Sequence, residues 1–164
     1  MAKEVDIIKT GRLTLRGIAE ADAEDIVRWR SDSGVFRFFK SPHKLTLEEH
    51  INWYRNSYLS NDKRYDWLCI EDISNTPIGV FGLNIENNHA EVNYLLAPEA
   101  QHRGYAGEAV KALIQYAKES RGIHVITAEI HVDNHASRKL AEAIGFKLQK
   151  IENTFAYYDY EVNE

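Results

Sequence analysis

With 164 residues, 44% of them hydrophobic and 27% charged, the chain is long enough for one domain that buries roughly two thirds of its unfolded surface. A formal net charge of −5, with short acidic clusters such as Glu20 to Asp25, excludes the broad basic face that nucleic-acid backbone binding requires. No apolar stretch approaches the ~18 residues of a membrane helix, and "MAKEVDIIKTGR" lacks the apolar segment of a signal peptide, so a cytoplasmic protein without membrane contact is expected.

No repeat, low-complexity tract or linker divides residues 1–164, so a single domain is expected. "RLTLRGI" reads as a first strand. "DAEDIVRWR" follows as a short helix capped by Asp22, with Ala23, Ile26 and Val27 at helical spacing. Thr46 and Glu49 have capping-box spacing and open a second helix, whose apolar face carries Leu47, Ile51, Tyr54 and Tyr58. "YDWLCIED", "PIGVFGLNIE" and "AEVNYLLA" form an antiparallel meander, the last two runs joined at Asn87 and Asn88, since asparagine tolerates positive φ. Cys69, the single cysteine, lies in the first of these runs and reads as a small buried hydrophobe without chemistry. From Ala106 the apolar residues recur at 109, 110, 113, 114 and 117, which predicts a helix stopped by Gly122. "HVITAEIHV" is then a strand, "NHASRKLAEAIGF" a helix stopped by Gly145, and two strands finish the chain. The order is β-α-α-β-β-β-α-β-α-β-β.

The joint "PEAQHRGYAGEAV" places Gly104, Ala106 and Gly107 between a strand and the most periodic helix. Free backbone N–H groups and the positive end of a helix dipole meet there, which makes an anion site. Bare backbone lets a phosphate approach closely. Neither the dinucleotide fingerprint nor the P-loop fits, because no Lys-Ser/Thr follows and no carboxylate stands at the required distance.

Gln101-His102-Arg103-Gly104-Tyr105-Ala106 resembles the Q/R-x-x-G-x-G/A acyl-CoA signature of the GNAT superfamily of N-acetyltransferases. "YLLAP" upstream and "NHASRKLAEAIGF" downstream resemble the same family's flanking motifs. "TGRLTLRGIAEADAEDI" is similar to the ribosomal-protein N-terminal acetyltransferase branch, and "WR…TLEEHINW" to amino-sugar-nucleotide acetyltransferases. The resemblance implies an α/β (α+β) fold: a central mixed, mostly antiparallel sheet of about seven strands flanked by about four helices. It also implies acetyl-CoA as co-substrate, no metal, and a small amine or a peptide N-terminus as acceptor, with a homodimer compatible.

By that resemblance, the backbone from Gln101, His102 and Arg103 through Gly104, Tyr105, Ala106, Gly107 and Glu108 holds the CoA pyrophosphate. The main chain at Leu95, Leu96 and Ala97 holds the pantetheine arm and the acetyl carbonyl. Asn134 contacts the same arm or caps its helix. Direct attack by an amine needs a proton acceptor and a leaving thiolate. Glu91, on the strand face of Asn93 and Leu95, is the candidate base, and Glu129 and His131 are rivals by the same alternation. Many family members carry a tyrosine one residue after the leucine of the second motif, but here Ala141 follows Leu140. Ser137, one turn from Asn134, is the substitute donor, and a thiol with a pKa of about 8.5 leaves readily enough. The missing tyrosine also admits a non-catalytic acyl-CoA-binding module. On the first two helices, Arg30 sits as the odd charge on an apolar stripe, and His50 and Trp53 flank the second apolar face. Together they could hold a sugar-nucleotide phosphate and stack a ring or base in the acceptor site.

Overall fold

The structure, a computed structural model, describes residues 3–162. The elements are β1 (Ile8–Lys9), β2 (Leu13–Gly17), α1 (Ala23–Arg30), α2 (Ser33–Phe36), α3 (Leu47–Trp53), β3 (Arg64–Glu71), β4 (Thr76–Glu86) and β5 (His89–Leu96), followed by α4 (Tyr105–Arg121), β6 (Val125–His131), α5 (His135–Ile144), β7 (Lys147–Glu152) and β8 (Phe155–Glu161). One eight-stranded sheet runs in the order β1-β2-β3-β4-β5-β6-β8-β7, and every neighbouring pair except β5–β6 is antiparallel.

Two elements lie outside what periodicity shows. β1 is two residues long and exists through its pairing of Ile8 with Leu15. α2 is a single turn, opened by the Asp32 side chain accepting from the Gly34 N–H at 2.8 Å. Neither is long enough to carry a pattern. Asp22, expected to cap α1, makes no cap bond, because its carboxylate is taken by the Arg16 guanidinium at 2.9 Å and the Ala19 N–H at 2.7 Å. Elsewhere local chemistry decides. Thr46 and Glu49 exchange side-chain-to-backbone bonds of 3.1 Å each, and α4 ends at Gly122 with φ 62°. Asn87 takes φ 57° in the β4–β5 turn. Beyond Trp53 the helix widens into a π turn, where the Leu59 N–H donates to the Tyr54 carbonyl at 3.1 Å.

Strand alternation divides the layers. Trp67 of β3 meets Tyr116 of α4 edge-on at 5.4 Å, whereas its neighbour Asp66 turns to the opposite face, under α1 and α3. Leu13, Leu15, Trp67, Phe81, Leu83 and Leu113 lie in one buried cluster. Gly107 belongs to this packing: a Cβ there would stand 3.2 Å from Leu140 Cδ1, so its bareness lets α4 and α5 approach. The position that reads in the sequence as room for a ligand is also room for a neighbouring helix.

What positions the site is the brevity of the β5–β6 pairing. The parallel ladder holds only His89↔Val125, Ala90↔Ile126 and Glu91↔Thr127, while β6 continues against β8 as far as His131. Beyond Glu91 the two strands part.

Leu113 is fully buried on α4. Leu113→Ala should cost about 2–5 kcal/mol, read as a lower urea midpoint with an unchanged slope.

Candidate functional site

A cleft of about 550 Å³ opens where β5 and β6 separate. Val92 to Leu96 line one wall and Ala128 to His131 the other. Because no strand covers that edge of β5 after Glu91, a row of its main-chain N–H and C=O groups faces the cleft. Glu86 and His89 close the two-residue turn, so Asn93 and Leu95 stand in hydrogen-bonded pairs with Gly82 and Val80 of β4. The Ala97 N–H is spent on the Ile78 carbonyl at 2.7 Å, so the main chain open to the cleft is that of Tyr94 and Leu96, and Leu95 and Ala97 do not contribute to it. The Gln101 side-chain amide donates to the Leu96 carbonyl at 3.5 Å and holds the strand end against the loop.

The loop leads directly into α4. Gly104 caps the helix at φ 79° and His102 lies at φ 65°, so glycine at 104 answers first to backbone conformation. The amides at 104–107 precede the intrahelical ladder, whereas the Glu108 N–H already donates to the Gly104 carbonyl at 3.2 Å. The Glu108 carboxylate is engaged elsewhere, accepting from the Arg12 N–H at 2.9 Å and from Arg12 Nε at 2.8 Å. Arg12 Nη1 in turn donates to the Arg103 carbonyl at 3.0 Å, and the guanidinium stacks over Tyr105 at 4.5 Å. The β1–β2 turn therefore buttresses the loop. His102 and Arg103 are exposed on its rim.

At the far wall, Asn134 Oδ1 accepts from the Ser137 N–H at 3.3 Å, which makes it the cap of α5 while it lines the cleft. The Ser137 hydroxyl lies 2.8 Å from the Tyr94 hydroxyl. Tyr94 stacks on Phe81 at 5.2 Å and lines both this cleft and a second cavity, so it stands between them. Sequence reasoning missed Tyr94, which alternation assigns to the face opposite Glu91 and Asn93.

The second cavity, about 470 Å³, lies under α1 and α3. Arg30, His50 and Trp53, gathered from two helices, all line it. His50 is 4% exposed, and burial, then Arg30, lowers its pKa, so it is neutral at physiological pH. Trp53 lies 5.5 Å from the His50 ring and 5.1 Å from Tyr58, with Arg64 5.0 Å from its ring. The cavity and the cleft share Phe39, Asn93, Tyr94 and Leu95.

Glu91 sits at the last paired rung, outside the lining of both cavities. Burial, followed by the adjacent Glu129 carboxylate, pushes its pKa up to about 7. Glu129, which lines the cleft, is held low by its bond with Glu91 and by the Lys40 ammonium. His131 lies further along β6, packed against Phe38 and Phe155. The buried Cys69 thiol is pushed up to about 12 by burial and has no role in either cavity. No cluster of three metal-ligating side chains and no helix long and apolar enough to cross a membrane occurs among the described residues.

The family described as acetyltransferase (GNAT) domain matches residues 12–147. An uncharacterized N-acetyltransferase of Bacillus subtilis (strain 168), YoaA, is 28% identical over 92% of this chain and 88% of its own. RimL, a ribosomal L7/L12 alpha-N-protein acetyltransferase solved with coenzyme A, superposes with a TM-score of 0.83 at 19% identity, over 96% of this chain and 98% of that one. Spermidine N-acetyltransferase of Vibrio cholerae, solved with CoA and spermine, gives 0.80 at 20% identity, over 92% and 94%.

Replacing Glu129 with glutamine should lower the Glu91 pKa, because the second of its two raising influences is weakened. Carboxyl carbon NMR should place Glu91 at about 7 in the parent protein and closer to an ordinary carboxylate in Glu129→Gln.

Proposed function

This chain belongs to the GNAT acetyltransferase family and is an N-acetyltransferase, and we propose that it moves the acetyl group of acetyl-CoA directly onto a primary amine held in the α1/α3 cavity. The observation that carries the reading is the parting of β5 and β6 beside the free amides at 104–107. The diphosphate rests on those amides and the N-terminal end of α4, where the dipole favours an anion. The pantetheine arm runs along the open edge of β5 as an added strand would, and the main chain at Tyr94 and Leu96 orients the thioester. Main-chain donors there also stabilise the oxyanion that forms during attack. Asn134 borders the arm and keeps its amide nitrogen free for it, since its oxygen is committed to the cap.

The acceptor is a peptide N-terminus or a small amine such as an amino-sugar nucleotide, entering past Arg30, His50 and Trp53. Its position across Asn93, Tyr94 and Leu95 brings the amine to the thioester, so most of the acceleration comes from orientation. Glu91 takes the proton through water. Its raised pKa suits that role, because a carboxylate ionised only above about 7 is a far better base at neutral pH than an ordinary one near 4. Ser137, held by Tyr94, returns a proton to the departing thiolate and fills the role of the tyrosine that Ala141 replaces. The curated relatives named as N-acetyltransferases remove the support for a non-catalytic acyl-CoA-binding module. The chain works in the cytoplasm, where acetyl-CoA is available, and a homodimer is compatible with it.

Two measurements test this. Gly104→Val forces a β-branched residue into a left-handed backbone position and onto the phosphate path, and should abolish acetyl-CoA binding in calorimetry while the domain stays folded by circular dichroism. Unchanged affinity in the folded variant would discard the phosphate-loop assignment. In a thiol-release assay against an amine library, the rate should rise with pH through about 7 as Glu91 loses its proton. Glu91→Gln should remove that limb and lower kcat by about 10²-fold or more. Ser137→Ala should cost less, because the thiolate leaves with little help.

A further inference from the structure

Four buried side-chain polar atoms among the described residues have no hydrogen-bond partner: Trp29 Nε1, Arg30 Nε, His50 Nε2 and Asp66 Oδ1. Three of the four belong to residues lining the α1/α3 cavity. Orphaned buried groups are uncommon, and their concentration around one space marks what the space is shaped to receive.

Asp66 is 1% exposed. Arg64 Nε donates to its Oδ2 at 3.0 Å, while Oδ1 is bare. In register beside it stand Gly82 and then Asn93, so the three form one row across β3, β4 and β5. A Cβ on Gly82 would come within 2.2 Å of Asp66 Oδ1 and 2.9 Å of Asn93 Oδ1. The missing side chain is what lets the two oxygens converge on one place. Asn93 and Leu95 share that face, two residues apart, so the convergence adjoins the main chain that orients the thioester.

Arg30 presents the opposite chemistry. Its guanidinium lies over the Phe39 ring at 4.6 Å and makes no ion pair with any described residue. Burial, then the neighbouring Arg64 charge, weakens its hold on its proton. Arg30 and Asp66 line the same cavity and each feels the other's charge, yet they do not close on one another. The unpaired guanidinium of Arg30 and the bare Oδ1 of Asp66, whose other oxygen is held by Arg64, face one enclosed space without meeting, which leaves a place between them for a group that satisfies both.

We propose that the acceptor is a small amine that also carries an oxyanion, a carboxylate or a phosphate. Its N–H bonds reach Asp66 and Asn93 over Gly82, and its oxyanion reaches Arg30 and the neutral His50. Two N–H bonds held by two oxygens leave the lone pair of the amine free to point at the thioester. A polyamine does not suit this arrangement, because its second ammonium would lie beside Arg30, and Glu49, the other carboxylate lining the cavity, is already engaged by the Thr46 N–H at 3.1 Å and His43 at 3.4 Å. The inference rests on the acetyltransferase reading and narrows its acceptor.

The test pairs acceptors that differ only in the oxyanion: L-serine with L-serinamide, and glucosamine 6-phosphate with glucosamine, with spermidine as the cationic control. Acetyl-CoA binding is measured separately by calorimetry, as is binding of each acceptor. The oxyanion-bearing member of at least one pair should have kcat/KM, or affinity where turnover is absent, about 10-fold or more above its partner. Which pair responds distinguishes carboxylate from phosphate. Arg30→Met should bring that ratio close to one. Asp66→Asn should weaken the same acceptor while acetyl-CoA affinity holds, and Gly82→Ala should do so without altering any charge, which covers a failure of Asp66→Asn to fold. Equal rates within both pairs, a ratio that survives Arg30→Met, preference for spermidine, or no binding by any oxyanion-bearing amine overturns the proposal. Loss of the acetyltransferase reading is a separate result, seen as no acetyl-CoA binding by the unaltered protein.

Discussion

Three rungs of parallel pairing between β5 and β6, ending at Glu91 and Thr127, hold the middle of this molecule together and also end early enough to open it. Had the ladder continued, the edge of β5 from Val92 onward would be saturated and nothing could lie along it. Instead β6 remains anchored to β8 through seven paired positions and leaves β5 along its own course to His131. The cleft is thus an interruption of a sheet, with rigid antiparallel strands on both flanks. Its β5 wall offers open main chain beside polar side chains from the facing wall, Glu129, Asn134 and Ser137 among them.

The two cavities differ in kind. Around the cleft the chain offers amides and a helix end, which suit a diphosphate and an amide-bearing arm without any cationic side chain. Arg12 is engaged with Glu108 and the Arg103 carbonyl, and so shapes the loop, while the Arg103 side chain stands exposed on its rim. Under α1 and α3 the lining is side chains, several of them charged or aromatic, and their burial shifts them: His50 towards neutral, Asp66 towards its protonated form, both by desolvation first. Tyr94 and Asn93, adjacent on β5 and on opposite faces, are the partition through which one space communicates with the other.

Local signals tell much of this in advance. The helix after Gly104 is legible because five apolar positions keep one period, and the cap at Thr46 because two side chains close a ring over three residues. Gly107 carries a constraint that its local pattern does not reveal: a missing Cβ records only that something comes close, and Leu140 comes close here. Arg30 is conspicuous as a charge within an apolar stripe. Asp66 is not, since a lone aspartate within "YDWLCIED" has no local pattern that separates a surface charge from a buried one.

The sequence by itself determined the order of the longer elements, the Asn87 turn, the Thr46 cap, and a loop-to-helix joint rich in small residues, because each of these depends on residues within one or two turns of each other. Tertiary structure decided where β5 and β6 separate, that Ser137 meets Tyr94 from 43 residues away, and that Arg30, His50, Asp66 and Asn93 face one enclosed space. Those relations arise from strand register and from helices laid across a sheet. Register is a property of two segments at once, and neither segment alone carries it.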